Sequence, residues 1–141
     1  MSTTSLQLSL AADMIRRYGL TADTLVIEVG SGEGAFLRSL QKHGVRVLGI
    51  EPKLPEMVRA WALGVDTLAA HFGVGVAEYV RMHYGPVKLL ISRSVRAGTE
   101  EFARLVAGGS RCLSADGTIA IHSAGVNALV EVRPDPIARA A

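Results

Sequence analysis

From Thr24 to His122 the sequence alternates between two periods. Short runs rich in β-branched and aliphatic residues (Thr24–Val29, Val45–Ile50, Val65–Ala69, Val87–Ile91 and Thr118–His122) read as strands. Between them, Glu33–Lys42, Leu54–Leu63, Val76–Tyr84 and Thr99–Ala107 carry apolar residues at helical spacing. Thr99 stands where a helix cap belongs, although Phe102 is not the acid or amide of a full capping box. A leading helix, Leu10–Tyr18, is capped by Ser9 and closed by Gly19. The central strand runs are apolar on both faces, so both faces of their sheet must be covered. Parallel strands joined by right-handed helical crossovers meet that demand. The sequence therefore predicts an α/β fold: a Rossmann-like, doubly wound, mostly parallel sheet of five strands.

The fifth strand would leave an apolar, unpaired edge, a template for association. Ala128–Val132 has strand-like alternation, and Ser123-Ala124-Gly125 is too short for a parallel crossover. This segment is predicted to add a short antiparallel C-terminal edge strand, in its own chain or across a twofold axis as a homodimer. Pro134 and Pro136 would end it. The chain then reads as one domain over residues 1–141. Residues 1–20 form a leading helical region, 24–122 a cofactor-binding core, and 126–133 an edge strand or dimer arm.

Composition narrows the function. Fifteen Lys and Arg against 13 Asp and Glu give a net charge of +2, too small for a steering field. Arg16-Arg17, the only adjacent basic pair, reads as the wet face of a helix and not as a nucleic-acid footprint. No apolar stretch is long enough for a membrane span, and the M-S-T-T-S start lacks the features of a secretory signal. The lone Cys112 excludes an internal disulfide and a cysteine-based metal cluster. The expectation is a cytoplasmic protein with a small-molecule substrate and no metal, nucleic-acid or membrane partner.

The chemistry concentrates in V-I-E-V-G-S-G-E-G-A-F, Val26–Phe36. Gly30, Gly32 and Gly34 carry the chain from the first strand into the next helix, where bare backbone allows a sharp turn and close approach of a ligand. Glu51 closes the second strand, where a carboxylate can accept both hydroxyls of a ribose. The turn also satisfies G-x-G-x-x-A, the nicotinamide pattern. Against that reading, Glu28 sets a negative charge beside the turn, which a pyrophosphate would meet unfavourably, and a chain of this length has no second lobe for a substrate. A cofactor with a sulfonium and an amino group, S-adenosylmethionine, has the opposite preference.

With these residues in view, the sequence resembles the class I S-adenosylmethionine-dependent methyltransferases. V-I-E-V-G-S-G-E-G is similar to their first motif and V-L-G-I-E-P to their second. G-P-V-K-L-L-I-S-R-S-V resembles their fourth-strand motif, and L-S-A-D-G-T-I-A-I the entry to strand five. The nearest likeness is to the cofactor domain of C-methyltransferases acting on nucleotide-linked deoxysugars in antibiotic pathways, with Phe72-Gly73 matching their pair after strand three. The resemblance implies cofactor contacts at Glu28, Gly30, Gly32 and Glu51, joined by Ser31, Gly34 and Ser92, with Phe72 bordering the adenine. It also implies that a zinc-bearing N-terminal region and a downstream substrate-binding segment lie outside this chain, which would be truncated at both ends.

No catalytic base follows from the likeness. The relatives often carry a histidine in the fourth-strand loop, whereas Ser94-Val95-Arg96-Ala97-Gly98 has none. Arg93 and Arg96 read as a solvated loop pair or as an anion site. His71, after strand three, is the candidate base by position and ordinary pKa, ahead of His122; His43 and His83 lie near helix ends. The expected function is methyl transfer to a small secondary metabolite. The alternatives are an inactive methyltransferase-like accessory or oligomerising module, and an enzyme reusing the pocket for isomerisation or ring closure.

Overall fold

In the computed structural model, which describes residues 3–93, 95–96, 98–122 and 129–134, the alternation becomes β-strands and α-helices in regular succession. The order is α1 (Thr3–Tyr18), β1 (Leu25–Val29), α2 (Ala35–Gln41), β2 (Arg46–Ile50), α3 (Leu54–Ala62), β3 (Thr67–Leu68), α4 (Val74–Tyr84), β4 (Val87–Ser92), α5 (Glu100–Cys112), β5 (Leu113–His122) and β6 (Leu129–Val132). The sheet runs β3-β2-β1-β4-β5-β6, with β6 alone antiparallel. The order reverses between β1 and β4, which opens the crevice where doubly wound sheets bind ligands.

Alternation along each strand divides the core. Leu25 and Ile27 face α4 and α5, packing with Ala77, Val80, Leu105 and Cys112. Val26, Leu89 and Ile91 face the other layer, with Met14 of α1, Phe36, Leu37 and Leu40 of α2, and Ala60 of α3. Both faces are dry, which is why the strands carry no polar alternation.

Several expected boundaries are corrected. α1 begins at Thr3, so Ser9 is an interior residue and not a cap. β3 pairs through Thr67 and Leu68 only, shorter than Val65–Ala69. Thr99 does cap α5, its Oγ1 accepting from Phe102 N–H at 3.1 Å, but the helix runs five residues beyond Ala107. It passes through Gly108-Gly109 because the neighbours leave no room for a side chain. A Cβ on Gly108 would lie 2.4 Å from Phe72 Cε2, and one on Gly109 2.6 Å from Ile119 Cδ1. These glycines let a helix lie close against the sheet instead of ending it. β5 likewise starts at Leu113, and Asp116-Gly117 sits inside it where the register against β4 shifts.

β6 pairs with β5 in its own chain, Ile119 opposite Val132 and His122 opposite Leu129. Arg17 reaches across to Glu131 of β6 at 2.5 Å, so one member of the basic pair ties the leading helix to the sheet edge. Ala128, the Ser123–Gly125 connection and Pro136 lie outside the described residues, while Pro134 is buried just after β6.

Candidate cofactor site

At the carboxyl end of β1 the chain turns through Gly30 (φ 75°), Gly32 (φ 59°) and Gly34 (φ 85°), all in the left-handed region that side chains disfavour. Gly30 N–H donates to Ile50 O at 2.8 Å, which ties the turn to the end of β2. Glu51 follows immediately. Its Oε1 accepts Gly32 N–H at 2.8 Å and its Oε2 accepts Lys53 N–H at 2.9 Å. Glu51 is only 5% exposed, so these bonds hold a largely desolvated carboxylate in one orientation. Each oxygen keeps a lone pair for a further donor.

Gly30, Gly32 and Glu51 line one cavity of about 560 Å³, together with His71 and Phe72 beyond β3 and the first two turns of α5. That size suits a cofactor. A ribose offers two hydroxyl donors to the two fixed oxygens, and the bare turn beside them admits backbone contact. The residues present therefore fit an adenosyl group.

The other expected site residues stand behind this wall. Glu28 is 1% exposed and is not among the lining residues. Its Oε2 accepts Arg93 Nε at 3.0 Å, and Oε1 is buried without a partner. Burial pushes its carboxyl up to about 7; the charge and hydrogen bond of Arg93 pull the other way, and the Glu51 charge adds to the rise. Arg93 also lies 4.8 Å over the Phe36 ring. It is thus an inward partner of Glu28, which corrects the reading of a solvated pair with Arg96. Ser31 is buried with its hydroxyl over Gly49, where a Cβ would approach to 2.4 Å. Ser92 is fully buried and accepts Val95 N–H at 3.3 Å. Gly34 serves packing: a Cβ there would sit 3.1 Å from that of Ala60, so α2 and α3 approach through it.

His71 lines the cavity, exposed at the end of the β3 segment, whereas His122 does not line it. Glu56, Glu101 and Arg104 line it too and were not singled out from the sequence. The available signal was position. α3 and α5 both begin at the carboxyl edge of the sheet, so their first turns border any ligand bound there. Among the described residues no group of three His, Cys, Asp or Glu could hold a metal ion, and no helix is long and apolar enough to cross a membrane.

Comparison with known proteins matches residues 27–121 to the methyltransferase domain family. This chain belongs to that family. The methyltransferase domain is 33% identical over 103 residues to the C-methyltransferase NovU of Streptomyces niveus, covering 73% of this chain and 24% of NovU. It superposes on the sugar N-methyltransferase KedS8 of Streptoalloteichus sp. ATCC 53650 with TM-score 0.62, 18% identity and coverage of 85% of this chain and 48% of KedS8. It also superposes on S-adenosylmethionine-bound CalS10, an amino pentose methyltransferase of calicheamicin biosynthesis from Micromonospora echinaspora. There the TM-score is 0.62 and the identity 23%, over 82% of this chain and 50% of CalS10. The fold is that of the class I S-adenosylmethionine-dependent methyltransferases. The chain spans about a quarter of NovU and about half of each of the two solved structures.

Proposed function

We propose that this methyltransferase domain binds S-adenosylmethionine in the cavity between the glycine turn and Glu51. In this reading it serves methyl transfer to a small secondary metabolite, a deoxysugar being the class suggested by its relatives. The carrying observation is that Glu51 and the turn line one cavity and are bonded to each other through Gly32 N–H. When bound, the cofactor supplies an electrophilic methyl group on a sulfonium. Glu51 holds the ribose, the bare backbone at Gly30 and Gly32 lies against the cofactor, and Phe72 borders the base. Glu28 gives the cationic end of the cofactor a nearby carboxylate, while Ser31, Gly34 and Ser92 keep the wall in shape.

His71, at the β3 end of the sheet, borders the purine side, so transfer relies on aligning acceptor and methyl more than on a side-chain base. The setting is a reducing cytoplasm, where the buried Cys112 needs no partner. A homodimer would form through the outer edge of β6, which among the described residues has one strand neighbour.

Calorimetric titration with S-adenosylmethionine and its demethylated product tests the proposal. One-site binding is expected, and a flat titration with folded protein overturns it in favour of an accessory module. Gly32→Val sharpens the test. A β-branched residue at φ 59° is strained by roughly 1–2 kcal/mol. The turn is expected to shift and cofactor affinity to fall about tenfold, with circular dichroism unchanged at 25 °C.

A further inference from the structure

We propose that the outer face of α3 is a contact surface between two copies of this chain, paired antiparallel about a twofold axis beside Val58.

The surface follows from the phase of the helix. Met57 and Ala60 are buried in the core, and the opposite side of α3 carries Leu54, Pro55, Val58, Trp61 and Ala62, all exposed. At ~3.6 residues per turn these positions span about 120° of the helix surface. None of them is charged, and none lines the cofactor cavity. Leu54, Val58 and Trp61 are 58%, 55% and 60% exposed. With Leu63 they make up half of the exposed large apolar side chains among the described residues, so the apolar surface is concentrated here. A face kept in water carries charge instead. The charge on its border, Arg59, is paired with Glu33 at 2.9 Å.

Trp61 is held ready for contact. Its Nε1 donates to Thr67 O at 2.8 Å, which satisfies the indole's one polar group and leaves only carbon surface to face solvent. An aromatic ring fixed in this way can anchor an interface at low ordering cost. The same bond closes another route. Asp66 O and Leu68 O accept from Gly49 and Glu51 N–H on the β2 side, so Thr67 O is the outward carbonyl of β3. With Trp61 on it the β3 edge is blunted against an added strand, and association here goes through the helix.

The stripe is also complementary to itself. Leu54 and Pro55 precede Val58 by four and three residues, and Trp61 and Ala62 follow it by three and four. A twofold axis beside Val58 therefore sets Leu54 against the partner's Trp61 and Pro55 against the partner's Ala62. Bulky side chains meet on one flank and small ones on the other, and none of the five positions stays uncovered. Antiparallel pairing opposes the two helix dipoles favourably. Because the stripe is uncharged, a chain of net charge +2 meets no like charge there from its own copy. α3 packs beside β3, and β6 ends the sheet on the other side, so this contact is separate from the β6 edge.

Sedimentation velocity and fluorescence test the proposal. Two short helices make a small interface, so wild type is expected to pass from monomer to dimer over about 1–200 µM. Trp61 is the only tryptophan, and its emission should move to shorter wavelength over the same range. Val58→Lys and Val58→Glu replace an exposed side chain, and melting curves check that both fold. Each alone sets like charges across the axis and should stay monomeric. Mixed in equal amounts, the two should associate at least tenfold more tightly than either alone, because mixing makes the charges opposite only where residue 58 meets its own copy. A wild type that is monomeric at every concentration leaves the face to another partner and overturns the proposal. A dimer that survives both substitutions overturns it too, placing the contact elsewhere, such as the β6 edge. So does a mixture no tighter than the separate variants.

Discussion

Replacing Glu51 by alanine is expected to weaken S-adenosylmethionine binding by about 100-fold, the largest effect on affinity in this site. Hydrogen bonds to a charged acceptor contribute about 1.5–3 kcal/mol each, and a ribose diol would make two, so a loss of about 3 kcal/mol, the lower end of the summed range, is the expectation. A second effect runs through the protein. Gly32 N–H and Lys53 N–H both donate to this carboxylate, and alanine leaves both without it. The turn then loses the bond that orients it beside the crevice. Glu51→Gln separates the two contributions, since its carbonyl oxygen can still accept from Gly32 while the charge is gone, and an intermediate loss is expected. Titration calorimetry of the three proteins measures this. Equal affinity of wild type and Glu51→Ala would remove Glu51 from the site and with it the adenosyl assignment.

The parts of this fold that could be read in the sequence are those decided locally. Apolar runs such as Val26-Ile27 and Leu89-Leu90-Ile91 can only be central strands under two layers, and they occupy β1 and β4 with both faces buried. The turn glycines were legible because left-handed backbone demands them. What escaped notice depended on partners distant in sequence. Gly108-Gly109 looks like a helix stop until Phe72 and Ile119 are seen against it. Arg93 looks solvated until the 65-residue separation from Glu28 is closed by β4 lying beside β1. Glu101 and Arg104 became site residues only when the phase of α5 against the cavity was known. Local chemistry thus located the crevice, while its rim and its hidden ion pair required the fold.

That ion pair predicts a pH dependence of stability with an unusual sign for a carboxylate. The Glu28 carboxyl titrates near an ordinary value of 4.5 in the unfolded chain and at about 7 in the fold, chiefly because burial disfavours its charge. Below pH 4.5 both states hold the proton and the group makes no difference between them. Between about 4.5 and 7 the folded protein keeps a proton that the unfolded chain has released, so stability falls as pH rises through this window. Above about 7 both are ionised and the full cost of the buried charge remains, roughly 3 kcal/mol by the size of the shift. Glu28→Gln removes the titration while its carbonyl can still accept from Arg93. The stability difference between variant and wild type should therefore grow in the variant's favour from pH 5 to pH 8, by up to roughly 3 kcal/mol in urea denaturation. Arg93→Ala acts in the other direction: losing the nearby cation raises the folded-state carboxyl further and extends the upper edge of the window to higher pH. The same charge logic couples to the ligand. A cationic cofactor near Glu28 favours the ionised form, so binding should release protons near pH 6 and strengthen towards pH 8. A stability difference independent of pH between wild type and Glu28→Gln would mean that Glu28 stays ionised throughout, with Arg93 outweighing burial.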